Sequence, residues 1–233
     1  LVSPRNLYFG DHFSEGQVSS RWHFQKEWVV ENGVLRRNEH VGENKRIFVK
    51  DPIYRDCVVR FDFRFDGATD LRFVTGSSGH YNAVVHIRPD HFYIQTATDD
   101  RGPYFSRRHG ECAYDFDPAT WYTMTVEFFG DEVVAHVDHQ HLVYAKHPIL
   151  DQQRTYLAIQ VDQSGAAFDN LQVFKAARHS DQAENRELIQ RMSDLHPVEK
   201  TIKQQYDIQK ENAHDILYQS DEAYRALVKR VDE

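Results

Sequence analysis

The sequence predicts an all-β fold of two stacked antiparallel sheets, a sandwich or jelly roll, over residues 1–178, with a helical extension over residues 179–233. Three observations predict it. Short segments rich in Val, Ile, Phe and Tyr recur at regular spacing between turn residues, as in two-sheet all-β folds. Several alternate strictly between apolar and polar positions, the period of a half-buried strand. After Ala177 the strand patterns stop, Gly is absent from Ser180 onward, and apolar residues recur every three or four positions.

The elements follow in order. Residues 7–13, LYFGDHF, read as a first edge strand. In EWVVENGVLRRN, Asn32-Gly33 lies between Val29-Val30 and Val34-Leu35. A type I′ hairpin turn needs two such residues, both tolerant of positive φ. KRIFVKD is the next strand. Residues 57–96 read as four more: CVVRFDFRFD, LRFVT, YNAVVHIR and HFYIQT. In the first, Val59, Phe61, Phe63 and Phe65 point one way and Arg60, Asp62 and Arg64 the other. Gly76-Ser77-Ser78-Gly79 and Pro89-Asp90 supply turns between them.

Residues 98–115 break the rhythm and read as a long polar loop holding Asp99, Asp100, Arg101, Arg107, Arg108 and His109. Strands resume with WYTMTVEFF, VVAHVDH, HLVYAKH, TYLAIQVD and FDNLQVFKA, with a turn at Gly130-Asp131. In the tail, Ser180 is placed to N-cap a helix ending near Met192 or Asp194. From Pro197 a longer amphipathic helix carries Val198, Ile202, Tyr206, Ala213, Ile216, Leu217, Tyr224, Leu227 and Val231 on a narrow stripe. That stripe either packs back on the sandwich or, over residues 197–231, forms a seam for a protein partner or a second copy.

Composition narrows the function. The 15 Phe, 12 Tyr and 3 Trp suit a β core. A net charge of −8 argues against general nucleic-acid affinity. No apolar run approaches the roughly 20 residues of a membrane span. The chain starts at Leu1 rather than Met, as expected of a processed or trimmed protein, and any secretion signal is out of sight. A secreted or periplasmic location is expected. The two cysteines, Cys57 and Cys112, form one bridge in an oxidising compartment or remain two buried thiols.

Several segments resemble a known family. Phe9-Gly10-Asp11-His12-Phe13 followed by Trp22 is similar to the opening of many concanavalin A-like domains. Trp28-Val29-Val30-Glu31-Asn32-Gly33-Val34-Leu35 resembles their hairpin. Trp121 at the start of a strand, Val137-Asp138 before a tight turn, and Phe168-Asp169-Asn170-Leu171-Gln172-Val173 at the close are similar too. Together they resemble the 3-keto-disaccharide hydrolase domain family and its laminin-G-like relatives over roughly residues 7–176. The resemblance implies a concanavalin A-like jelly roll whose concave face receives sugars. It also implies cleavage of 3-keto-glycosides by some members, with a metal and a histidine associated with that chemistry. These are scaffold motifs, and they identify a fold better than an activity.

The candidate site follows from strand parity. One sheet face is expected to carry Arg60, Asp62, Arg64, Arg72, Asn82, His86 and Arg88. Extending the parity adds Glu127, His136 and Gln160. His86, helped by Asp62 and Glu127, is the candidate catalytic group, since an imidazole near neutrality can take a proton next to a keto group. Arg60, Arg64, Arg72, His136 and Gln160 are candidate substrate binders, because guanidinium forks fit carboxylates and vicinal oxygens. The competing reading is a structural ladder of cross-strand ion pairs.

A divalent metal is a candidate cofactor. His139 and His141 form a His-x-His, with His136 just before Val137-Asp138, and alternate histidines on a strand could hold zinc or manganese, though His139-Gln140 also reads as a plain polar turn. Asp99-Asp100 is a candidate for calcium, which takes oxygen donors from loops. The two-glutamate E-x-D-x-x-E pattern of laminarinase-type glucanases is absent from the sequence. Three functions compete: a carbohydrate-active enzyme, a non-catalytic carbohydrate-binding or structural module, and a subunit of a larger assembly docked by the tail.

Overall fold

The computed structural model describes residues 2–14, 16, 20–23, 27–37, 46–50, 54–77, 80–97, 106–162, 165–178 and 182–195. In chain order the strands are β1 (Val2–Asp11), β2 (Trp22–His23), β3 (Trp28–Glu31), β4 (Val34–Arg37), β5 (Arg46–Val49), β6 (Cys57–Arg64), β7 (Asp70–Ser77) and β8 (His80–Arg88). Then come β9 (His91–Ala97), β10 (Ser106–Ala113), β11 (Tyr122–Phe129), β12 (Glu132–His136), β13 (Leu142–Lys146), β14 (Tyr156–Asp162) and β15 (Ala167–Arg178). The α-helix α1 (Gln182–Ser193) follows. The longer helix predicted from Pro197, and the pair Asp99-Asp100, lie outside the described residues.

The strands form two antiparallel sheets. Sheet A runs β13-β12-β11-β6-β15-β4-β3, with β1 also paired to β15. Sheet B runs β10-β9-β8-β7-β14-β5-β2. Between them lies one apolar core. Phe61, Phe63, Val126, Phe128 and Phe168 enter it from sheet A; Phe73, Val85, Ile94, Ile159 and Trp22 enter it from sheet B. Phe61 and Phe73 meet across the layers with ring centroids 5.5 Å apart. The β3–β4 turn is as expected: Asn32 and Gly33 take φ of 53° and 77°.

Two expectations are corrected. The four strands of residues 57–96 do not share a sheet: β6 sits in sheet A, while β7, β8 and β9 are neighbours in sheet B. Apolar alternation says that each strand has a buried face, but not which sheet buries it. The polar loop expected at 98–115 is, over Ser106–Ala113, a strand paired antiparallel with β9. Its register slips between Arg108 and Glu111, and a bulge of that kind destroys the two-residue period.

Cys57 and Cys112 are free, buried thiols, and burial pushes both up to about 12. On the outer face of sheet A, Val58, Val134 and Leu142 form a second small cluster with Ile189 and Met192 of α1. Arg186 of α1 bonds the buried Glu132 of β12, which also accepts from the Tyr144 hydroxyl at 2.6 Å. The helix therefore covers the β12–β13 end of sheet A. Among the described residues, no helix is long and apolar enough to cross a membrane.

Candidate functional site

A cleft of about 290 Å³ opens on the outer face of sheet B. Six strands supply it. Arg72 and Val74 come from β7, Val84, His86 and Arg88 from β8, Tyr93 and Gln95 from β9, Arg108 from β10, and Arg46 and Gln160 from β5 and β14. Parity explains most of this, because residues two apart on a strand share a face. The exception is Tyr81. A register shift between Thr75 and Gly76 leaves Asn82 buried and bonded to the Thr75 hydroxyl at 2.9 Å. Tyr81 lines the cleft instead of Asn82, which sequence parity had placed on this face.

The floor is a charged network around His86. Its ring is stacked on Tyr93 (4.4 Å between centroids, 6° between planes), the residue directly across from it on β9. His86 Nδ1 lies 3.4 Å from Asp70 Oδ1. Asp70 also accepts from Arg72 Nε and Nη2 at 2.8 and 2.6 Å, and Arg72 reaches Asp162 as well. Burial holds the His86 imidazole below its ordinary value; Asp70 opposes this, and Arg72 and Arg88 add to it. The ring is thus neutral at neutral pH. For Asp70 burial acts upward, but His86 and then Arg72 outweigh it and hold the carboxyl below its ordinary value.

Tyrosines seat the other guanidiniums. Arg46 lies over Tyr81 at 4.7 Å and bonds Gln160 through Nε. Arg88 and Arg108 both lie over Tyr93, at 5.7 and 4.9 Å. Such cation–π seating fixes long side chains that would otherwise wander.

Of the sequence-predicted residues, Arg72, His86, Arg88 and Gln160 meet in this cleft. Arg60, Asp62, Arg64, Glu127 and His136 do not. They belong to β6, β11 and β12 of sheet A, on the opposite side of the molecule's core. There Asp62 accepts from Thr123 Oγ1 at 2.6 Å and Asn170 Nδ2 at 2.5 Å. Arg64 bonds Asp66 and lies over Trp121. Glu127 accepts from the Val2 backbone at 3.1 Å and sits 3.5 Å from His136. The single shared face is therefore a correction: parity groups residues within a sheet and cannot merge two.

Sequence reasoning missed Asp70, Tyr93, Arg46 and Arg108 as site residues. Two had readable signals. Asp70 and Arg72 share a face by i, i+2 spacing, and Tyr93 continues the alternation in HFYIQT.

The histidine-rich hairpin is a polar turn. His139 has φ of 65°, and Asp138 accepts from the backbone of Gln140 and His141 and from the His141 ring at 2.8 Å. Among the described residues, no three His, Cys, Asp or Glu side chains are grouped to hold a metal ion. In the cleft, His86 has the Asp70 carboxylate beside it, and four arginines line the same space. That donor set does not fit a cation.

The two-layer jelly roll with its sheet-B cleft defines a concanavalin A-like domain. A family of 3-keto-alpha-glucoside-1,2-lyase-like domains matches residues 9–174, and the chain belongs to it. The domain is thus of a carbohydrate-related family. No curated protein matches the chain.

Solved structures share the fold. One is the carbohydrate-binding module CBM66 from Bacillus subtilis, 12% identical over 66% of this chain and 96% of that one, TM-score 0.54. Another is the laminarinase catalytic domain from Thermotoga maritima, 14% identical over 74% and 99%, TM-score 0.54. A third is SCLam, a non-specific endo-beta-1,3(4)-glucanase, 10% identical over 76% and 95%, TM-score 0.54.

Proposed function

We propose that the sheet-B cleft binds a glycoside of the 3-keto type and eliminates or hydrolyses it, with His86 as the base. The observation that carries this reading is the buried, neutral His86 held between Tyr93 and Asp70 on the cleft floor. With Nδ1–H turned to Asp70, Nε2 keeps its lone pair for a proton. The family description, a 1,2-lyase of keto-glucosides, supports the substrate class.

The chemistry balances as follows. A carbonyl at sugar C3 acidifies the hydrogen on C2. His86 takes that proton, and the electron pair moves onto the C3 oxygen as an enolate. Arginine N–H donors of the cleft oppose the charge that develops there. When the pair returns, a C1–C2 double bond forms and the bond from C1 to the leaving oxygen breaks. The imidazolium returns its proton to that oxygen, which departs as an alcohol. Addition of water across the double bond then makes the net reaction a hydrolysis.

The test is turnover of a 3-keto-glucoside by wild type and His86→Gln. General-base removal is expected to cost about 10²–10⁴-fold in rate. Full activity in the variant would remove His86 from the mechanism.

A second reading, a non-catalytic binding module, is favoured by two features. Among the described residues that line the cleft there is no carboxylate pair to serve as acid and nucleophile. His86 is also only 6% exposed. Saturable glycoside binding with no turnover by wild type would establish that reading.

A further inference from the structure

We infer that the glycoside this cleft takes carries an anionic substituent, a carboxylate or a sulfate ester, held between Arg88 and Arg108. The inference rests on the cleft being the sugar site, as proposed above. Three observations carry it.

Sign comes first. Four guanidiniums line the cleft, and among the described lining residues there is no Asp or Glu. This is in a chain of net charge −8. Three carboxylates stand beside the lining. Asp70 and Asp162 both bond Arg72, Asp70 also lies 3.9 Å from Arg88, and Glu111 lies 3.9 Å from Arg108. The side chains of Asp70 and Glu111 are 9% and 5% exposed against 37% for Arg88 and 28% for Arg108, so at this pair the positive groups are the ones turned to the opening.

Geometry comes second. Arg88 and Arg108 come from different strands, β8 and β10, yet both are seated on the one ring of Tyr93 between them. Two like charges gathered against one ring repel each other, and an anion between them reverses the sign of that interaction. A guanidinium held over an aromatic face keeps its five N–H donors in its own plane, where they meet a planar carboxylate or a sulfate two at a time.

Chemistry comes third. A neutral sugar is bound mainly by aromatic faces and by mixed donors and acceptors. Arginines supply donors alone, and of the described lining side chains only Gln95, Gln160, His86 and the tyrosines can also accept. Donor excess of this kind suits an acceptor-only group.

The experiment is calorimetric titration of the intact chain with three oligosaccharides of matched length: neutral, uronate-bearing and sulfated. At about 50 mM salt, the acidic ligands are expected to bind at least about tenfold tighter than the neutral one. The advantage should fade towards unity at about 0.5 M salt, where the screening length is short. Arg88→Gln with Arg108→Gln should abolish the preference, and Arg88→Lys with Arg108→Lys should keep part of it. Thermal melting of each variant reports folding.

A uronate arm above the sulfate arm identifies a carboxylated ligand, and the reverse a sulfated one. Equal binding of neutral and acidic ligands overturns the inference but leaves the sugar site standing. So does an acidic preference that survives in the folded Gln variant. Failure of all three ligands to bind overturns both.

Discussion

Asp70→Asn separates a base held by its carboxylate from a histidine that merely packs on the cleft floor. The substitution keeps shape and one acceptor but removes a charge 3.4 Å from His86 Nδ1. Unscreened, that pair interacts by about 5 kcal/mol at an effective dielectric constant of about 20. Arg72, bonded twice to the same carboxylate, cancels roughly half of it. About 2–3 kcal/mol then remains for the imidazolium formed as the proton is taken, which corresponds to a rate loss of about 30- to 150-fold.

The pH dependence fixes the sign. His86 acts as a base only when neutral, and its folded value lies below the ordinary one, chiefly through burial. Activity is therefore full above that folded value and falls as pH drops through it. Without Asp70 the imidazolium loses its partner, so the acid limb moves to still lower pH while the plateau drops. The assay is the pH profile of kcat/KM on a 3-keto-glucoside, with urea unfolding as a check on folding. A lowered plateau with an unmoved acid limb would refute the pairing of Asp70 with a titrating His86.

Two further outcomes test the frame around the site. Arg186→Ala leaves the buried Glu132 carboxylate with Tyr144 as its remaining described partner. Because Arg186 is itself 39% exposed, the cost is expected at about 2–3 kcal/mol rather than the full value for a buried pair, read as a lowered urea midpoint. Both thiols are fully covered and held up to about 12 by burial. A disulfide reagent at pH 8 should therefore titrate two thiols in urea and almost none in the native protein; rapid native labelling of either would contradict the packing.

Much of the sandwich was legible because strands declare themselves locally. The alternation in CVVRFDFR specified β6, and Asn32-Gly33 specified a hairpin turn, since each depends on a few neighbouring residues and on backbone sterics. The strand β10 was not legible, because its bulge hides the two-residue period that would have revealed it. The site was read only in part. Parity put Arg72, His86, Arg88 and Gln160 on one face, and they line one cleft; the same rule attached to them Arg60, Asp62, Arg64, Glu127 and His136, which lie in sheet A.

The amino-acid sequence by itself thus determined which residues of the regular, bulge-free strands turn inward and where the Asn32-Gly33 hairpin turns back, since both follow from local period and local φ. Which sheet each strand joins was decided only by tertiary pairing, because antiparallel partners here come from distant parts of the chain: β14 lies between β7 and β5, and β15 between β6 and β4. That pairing put Tyr93 beneath His86 and brought Arg46 of β5 and Arg108 of β10 to one opening. A side chain's own alternation carries no information about neighbours that hydrogen bonds across strands must bring to it.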